Sequence, residues 1–478
     1  MAVPKSKHPS QGQSKKPNDS HYAWDKITIR SCEREDAIFT KWDRVRDEIV
    51  KRIDLKYVST IGCYRVGRKN SPRKGRPTIF IFGNHAKYPK SIEPARNIID
   101  DILKKHKVTE VEVEFLEGQF RRHASDPESE EHEPKPKRDT EECGGFFHQD
   151  VVRLPSLPGQ SLALKENASA SGTFGGFFEV TLPGITEPKV MGFTCFHVIN
   201  PTEKGKSDKA KFIIRKWRKE GIMPNDTMAK HLKVDHPSPR AVHEKTRALK
   251  KEVADIQSPT YMLLDDLVTN EQDIRKGDSI RYEADKRRLL NCKALLKQLE
   301  DFDAGFGKVW AASGFRRGQA PSIDSGEHRL ATNYDWALIE VPRQRVGHNI
   351  TPEGHVLNQS PLPKSFDNLT LCISGQKSGY SEGRYNALKE ANVKHELIDG
   401  TVDSVTTIEH SVISSEDGTF FARSGDSGSL VYTKGSHVVV GLFFAGRTRP
   451  PCSASFTHID DLINDIKGTT GATEVRLL

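Results

Sequence analysis

A chain of 478 residues exceeds what one hydrophobic core ordinarily serves, so two or more domains are expected. With 35% hydrophobic and 29% charged residues it reads as a polar globular protein with some unpacked segments, and no stretch approaches the roughly 20 apolar residues that cross a bilayer. Basic residues number 73 and acidic residues 65, a net charge of +8 with both signs abundant, and no nucleic-acid-binding motif accompanies the excess. Neither a nucleic-acid nor a membrane partner is therefore expected.

Residues 1–22 form a disordered basic tail without the apolar run of a secretory signal. Its lysines Lys5, Lys7, Lys15 and Lys16 suit either nuclear import or simple solvation. From 23 to 117 the pattern is that of a small α/β accessory domain. "ITIRS" reads as a strand, and 37–53 as a helix with Ile38, Trp42, Val45, Ile49 and Ile53 at helical spacing. "YVSTIGCYRV" and "PTIFIF" read as strands, "IEPARNIIDDILKKH" as a second helix and "VTEVEVEFL" as an alternating strand, giving the order βαββαβ. This segment holds no catalytic cluster and is expected to bind a regulatory protein partner.

Residues 118–143 form a charged linker whose apolar content is little more than Phe120. Beyond it, from 144 onward, the chain is rich in short apolar strands and glycine turns, as in "GTFGGFFEVTL", "VMGFTCFHVI", "DWALIEV", "LTLCISG" and "SHVVVGLFF", which suggests a barrel-type β domain. A block at about 241–302 interrupts it. There Val242, Leu249, Val253 and Ile256, then Leu289, Cys292, Leu296 and Leu299, repeat at helical spacing, so two amphipathic helices paired as a hairpin are expected. The seven cysteines (Cys32, Cys63, Cys143, Cys195, Cys292, Cys372, Cys452) include no CxxC pair. That argues against a structural zinc site and a full disulfide framework, and for a reducing cytoplasmic or nuclear setting. No cofactor and no metal is expected.

"RSGDSGSL", 423–430, sets Ser427 between two glycines ahead of an apolar run. A serine hydroxyl is a poor nucleophile unless an imidazole takes its proton and a carboxylate orients the imidazole. Of eighteen histidines, His197 in "GFTCFHVIN" ends an apolar strand where a loop begins, whereas His8, His123, His132 and His236 lie in polar surroundings. Asp335 in "NYDWALIEVP" directly precedes another apolar strand, while Asp303 and Asp324 lie in polar loops. Each residue also has an ordinary reading, as a strand-end histidine, a turn aspartate and a turn serine. Together they occur in the order His, Asp, Ser, one of the three known orders of a serine triad.

These segments resemble the trypsin/chymotrypsin family of serine proteases over roughly 144–470. "FTCFHV" resembles the strand into its catalytic histidine, "YDWALIEV" its Asp-x-Ala-Leu motif and "SGDSGSL" its Gly-Asp-Ser-Gly loop. "GTFGGFF" resembles the opening strand of the first barrel, and "GQKSGYSEGRYN" a hairpin of the second. The resemblance implies a chymotrypsin-like double β-barrel acting on a protein or peptide substrate. Ser427 would be nucleophile, His197 general base and Asp335 orienting acid, with the amides of Gly425 and Ser427 as oxyanion hole. Phe421 would floor the specificity pocket, and Phe444, Ala445 and Gly446 would wall it and pair with the substrate backbone. A phenylalanine floor favours a small or apolar residue before the scissile bond.

Asp426 and Gly428 complete the nucleophile loop. In secreted relatives the aspartate pairs with an N-terminus freed by cleavage, and no such activation motif precedes this barrel. Asp426 then needs another partner, Arg423 or a backbone amide, and activity gated by the front domain or a partner is expected. The helical insertion falls between His197 and Asp335, where a lid, an exosite, an oligomerisation arm and plain decoration are open. The alternative function is a catalytically silent protease-fold scaffold that binds protein, and a general esterase is a third reading.

Overall fold

The computed structural model describes residues 27–69, 75–122, 154–167, 170–319, 331–398, 401–415, 419–447 and 452–478. The basic tail 1–22 and the linker from 123 to 143 lie outside the described residues. The chain divides into two compact units, Met1–Gln119 with Glu390–Thr406, and Phe120–Lys389 with Thr407–Leu478.

In the first unit the order is β1 (Ile27–Arg30), α1 (Trp42–Arg52), β2 (Val58–Arg68), β3 (Arg76–Gly83), α2 (Ile92–Lys105) and β4 (Glu112–Glu117). β2 and β3 pair antiparallel, and β3 and β4 pair parallel, the latter through the α2 crossover that a parallel pair requires. β1 pairs with Arg65–Arg68 of β2, and Ala391 and Asn392 pair with Ile61 and Thr60. α1 buries Trp42, Val45 and Ile49 on one stripe, together with Arg46, whose guanidinium donates to Asp43 at 2.6 Å and Asp47 at 3.0 Å. The Cys32 and Cys63 thiols lie 3.8 Å apart in this interior.

The second unit is mostly β. Its strands are β5 (Arg121–Arg122), β6 (Ser161–Leu164), β7 (Gly172–Thr173), β8 (Gly176–Thr181), β9 (Lys189–Thr194), β10 (Lys233–Asp235), β11 (Gly305–Ala312), β12 (Arg317–Gln319), β13 (Ala331–Asn333) and β14 (Ala337–Glu340). There follow β15 (Thr370–Gly375), β16 (Gly379–Ile398), β17 (Thr401–Ser414), β18 (Leu430–Thr433), β19 (Val439–Gly446), β20 (Ala454–His458) and β21 (Glu474–Leu477), the outer halves of β16 and β17 counting with the first unit. One sheet runs β21-β8-β9-β14-β11-β10-β6-β7. The strands β15-β18-β19-β20-β17-β16 close on themselves, because β15 also pairs with β16. Closure gives each strand of that ring a neighbour on both sides over part of its length, while the far end of β19 runs on past β18.

Four helices lie between β9 and β11: α3 (Asp208–Glu220), α4 (Pro239–Ile256), α5 (Pro259–Thr269) and α6 (Lys276–Asp301). Three begin at a serine whose side chain accepts from the third amide onward: Ser207 from Ala210, Ser238 from Ala241 and Ser258 from Tyr261. The expected two-helix hairpin is thus three helices, with α5 wedged in by the Ser258-Pro259 start. Leu249 of α4 packs on Cys292 and Leu299 of α6, while Ile256, Tyr261, Leu264, Tyr282 and Leu289 form the other cluster. A last helix, α7 (Ile459–Thr470), buries Ile459, Leu462, Ile463 and Ile466 in the same core as Trp336, Phe177 and Phe193. No helix among the described residues is long and apolar enough to cross a membrane.

Asn349 ties this core together. Its Oδ1 accepts the Phe177 amide at 2.7 Å, and its Nδ2 donates to the carbonyls of Phe177 at 2.8 Å and Leu478 at 3.1 Å. Asn349→Ala would strand buried backbone groups of β8, so a loss of about 1–3 kcal/mol is expected from urea unfolding.

Candidate active site

The site forms where β9, β14 and the turn before β18 end. β14 pairs antiparallel with β9, with Ala337 opposite Thr194. Extending that register by two residues sets Asp335 opposite Phe196, one residue from His197. His197 lies on the short 3-10 turn Phe196–Val198 after β9. Its backbone amide donates to Asp335 Oδ1 at 2.9 Å, and its Nδ1 lies 2.8 Å from Oδ2. An acceptor-only carboxylate puts the ring proton on Nδ1 and leaves Nε2 as the acceptor. Asp335 is 1% exposed, and its neighbour Trp336 is held at both backbone ends by Ser313 and through its indole by Asp465 at 2.7 Å.

Ser427 reaches the same place from the closed ring, on the turn before β18. Thr173 accepts from Thr194 Oγ1 at 2.8 Å, donates its amide to the Ser427 carbonyl at 2.8 Å and its hydroxyl to the Gly425 carbonyl at 3.0 Å. The Phe443 carbonyl accepts from the Gly428 amide at 2.9 Å and from the Cys195 thiol at 3.2 Å. These bonds join the histidine strand to the serine turn. A Cβ on Gly172 would fall 2.2 Å from Val198 and 2.8 Å from the Ser427 carbonyl, so the strand passes between them only as glycine.

The serine hydroxyl does not bond to the histidine in this structure. Ser427 Oγ donates to the Phe444 carbonyl at 3.1 Å, and the buried His197 Nε2 has no hydrogen-bond partner among the described residues. In the turn itself, the amides of Asp426, Gly428 and Ser429 are engaged, by Arg423, Phe443 and Asp426 carbonyls. Those of Gly425 and Ser427 have no acceptor among the described residues. Gly425 and Gly428 adopt φ of +105° and +100°, a conformation that a side chain resists.

Asp426 is fully buried, and four donors surround it. Oδ1 accepts from the amides of Lys377 at 2.8 Å and Ser378 at 3.1 Å; Oδ2 accepts from the Ser378 hydroxyl at 2.5 Å and the Arg423 amide at 2.7 Å. Burial pushes its pKa up, and these hydrogen bonds pull against that rise. Gating through Asp426 needs that carboxylate unpartnered, and Lys377, Ser378 and Arg423 give it four neutral donors. The expected partners, Arg423 or a backbone amide, are met by the Arg423 amide and by the amides of Lys377 and Ser378, two residues of the "GQKSG" segment that no local signal singles out. A Cβ on Gly375 would lie 2.4 Å from Asp426 Oδ1, a carboxylate with no room to yield.

Cys195, His197 and Asp335 place donor atoms within 4.8 Å of one another, a spacing that could hold an ion. The thiol and the carboxylate are already engaged by Phe443 and His197, so hydrogen bonding accounts for the cluster. Phe421 is 3% exposed and packs with Tyr385, Val412, Phe443 and Phe456. Phe444, Ala445 and Gly446 are buried on β19.

A further buried carboxylate, unread from sequence, supports the Asp335 strand. Glu409 accepts from Thr332 Oγ1 at 3.1 Å, the Asn333 amide at 3.0 Å and Asn333 Nδ2 at 2.7 Å. Burial pushes its carboxyl up to about 7, against those bonds.

No family model matches the chain, and no curated protein matches it by sequence. Solved structures similar to it are serine proteases. Thermobifida fusca protease A shares 11% identity at a TM-score of 0.28, covering 68% of this chain and 99% of that one. Nocardiopsis protease shares 10% identity at 0.29, covering 67% and 97%. Cellulomonas bogoriensis chymotrypsin shares 16% identity at 0.20, covering 36% and 75%. Likeness of this degree carries no chemistry; the side chains of the site do.

Two outcomes are expected. A carboxyl raised to about 7 stabilises the fold fully below its unfolded value near 4.5, and that contribution is lost as pH rises through 7. The wild type should therefore lose urea stability relative to Glu409→Gln between pH 4.5 and 7, with a constant difference above. Gly375→Ala should displace Asp426 and reduce covalent labelling of Ser427 by a fluorophosphonate roughly tenfold or more, with the chain still folded by circular dichroism.

Proposed function

We propose that the second unit is a serine-type endopeptidase. The carrying observation is the double hydrogen bond from His197 to a buried Asp335, beside a serine turn whose Gly425 and Ser427 amides have no acceptor among the described residues. In this reading Ser427 rotates about χ1 away from the Phe444 carbonyl and gives its proton to His197 Nε2. Its oxygen attacks the scissile carbonyl carbon, and the resulting oxyanion takes the Gly425 and Ser427 amides. Asp335 stabilises the imidazolium. His197 then passes the proton to the leaving nitrogen, the C–N bond breaks, and water, deprotonated by the same imidazole, hydrolyses the acyl-Ser427 ester.

In this reading Phe421 floors the pocket and Phe444–Gly446 wall it, as in the family the sequence resembles, so the substrate is a peptide with a small or apolar residue before the cleaved bond. A regulatory protein partner for the first unit remains part of the proposal, without the Asp426 switch.

The silent-scaffold reading has one observation in its favour, the Ser427 hydroxyl turned to Phe444. Fluorophosphonate labelling separates the two. Wild type should label, Ser427→Ala should not, and His197→Ala should label at least about 10³-fold more slowly. Asp335→Asn should cost roughly 10⁴-fold in peptide turnover through the wrong imidazole tautomer. A folded wild type that takes no label would sink the peptidase and leave the scaffold.

A further inference from the structure

The strand proposed to receive substrate already carries a peptide. β5 pairs antiparallel with the end of β19, Arg122 opposite Ala445 and Arg121 opposite Gly446. On its other edge this part of β19 is taken by β20, with Ser455 opposite Ala445 and Ala454 opposite Gly446. A strand has two edges, so β5 occupies the one that β18 lines farther back. β18 leaves that edge after Leu430 pairs with Leu442, where the chain turns into the Ser427 loop. The occupied edge therefore opens beside the nucleophile.

The contact is more than backbone. The Phe120 ring meets Phe444 edge to face, centroids 6.1 Å apart at 74°, and packs on the barrel core. Phe444 is also the residue whose carbonyl takes the Ser427 hydroxyl. One aromatic side chain and two residues of antiparallel ladder are what an extended peptide would present to an open sheet edge.

We propose that Phe120–Arg122 is an internal competitor: a segment of the chain that fills the substrate-pairing edge of β19 and holds the peptidase at low activity until displaced. The proposal rests on the peptidase reading above. It also names the ligand class of that edge, an extended peptide whose aromatic side chain lies against Phe444. Because the segment is covalently attached, its effective concentration is on the order of millimolar, so a free substrate must outcompete it. Control thus lies in the strand edge, and it needs neither a cleaved N-terminus nor a moving Asp426.

The test uses the full-length chain. Arg121→Pro with Arg122→Pro removes the amide donors of β5, and Phe120→Ser, made separately, removes the aromatic anchor while leaving the backbone able to pair. Hydrolysis of fluorescein-labelled casein is followed together with hydrogen exchange across 443–447 and fluorophosphonate labelling of Ser427. Both variants should show a KM lowered roughly tenfold or more with kcat unchanged, and faster exchange at Ala445 and Gly446. A free peptide of sequence LEGQFRR should then inhibit the proline variant competitively, and LEGQSRR should not. Unchanged KM and unchanged exchange in chains that label normally would overturn the competitor while leaving the peptidase intact. Chains that neither label nor hydrolyse casein would retire the peptidase reading, and the competitor with it.

Discussion

A carboxylate with no solvent at all governs the shape of this site. Asp426 carries a charge that burial opposes, and it is tolerated because four donors converge on it from two loops. Three of those donors belong to Lys377 and Ser378 and one to Arg423 in the serine turn itself. The carboxylate therefore binds the start of β16 to the turn before β18 and fixes how that turn presents its peptide planes. Ser427 and the two unoccupied amides take their positions from that geometry. The same logic recurs with Glu409, where a second buried carboxyl gathers Thr332 and Asn333 and so anchors the strand from which Asp335 projects.

Much of this was legible because the residues concerned are local signals. His197 and Asp335 stand at the ends of short apolar strands, and Ser427 stands between glycines that a tight turn demands; each is visible in a window of ten residues. The pairing of Asp426 with Lys377 and Ser378 joins positions some fifty apart in the chain, and Glu409 meets Asn333 from a different strand. No periodicity or composition reports such contacts. α5 is legible in principle from Ser258-Pro259, but its apolar run lies between the two stretches whose spacing reads as helical and stays unassigned. α3 escaped for a similar reason: only Ile214 and Trp217 are buried along its length.

The linker teaches the opposite lesson. Phe120 stood out as the lone sizeable apolar residue in a charged stretch, and composition alone assigned it to a spacer. In the structure it lies against Phe444. An isolated aromatic in a polar segment costs free energy when exposed, so its retention beside a β-competent pair of residues is a physical hint of docking rather than noise.

The helical block has a consequence of its own. Its two ends meet at one rung of the ladder: Asp235 pairs with Gly305, and the His236 amide donates to the Ala304 carbonyl at 2.8 Å. To the strands beneath, everything between those residues is a single oversized hairpin turn. Such a graft can lengthen, shrink or be exchanged wholesale without shifting the register of the neighbouring strands. Beyond that rung, the Glu244–Lys377 contact at 3.5 Å and the Ser238 amide, which donates to Ser161 Oγ at 3.1 Å, tie the block to the strands.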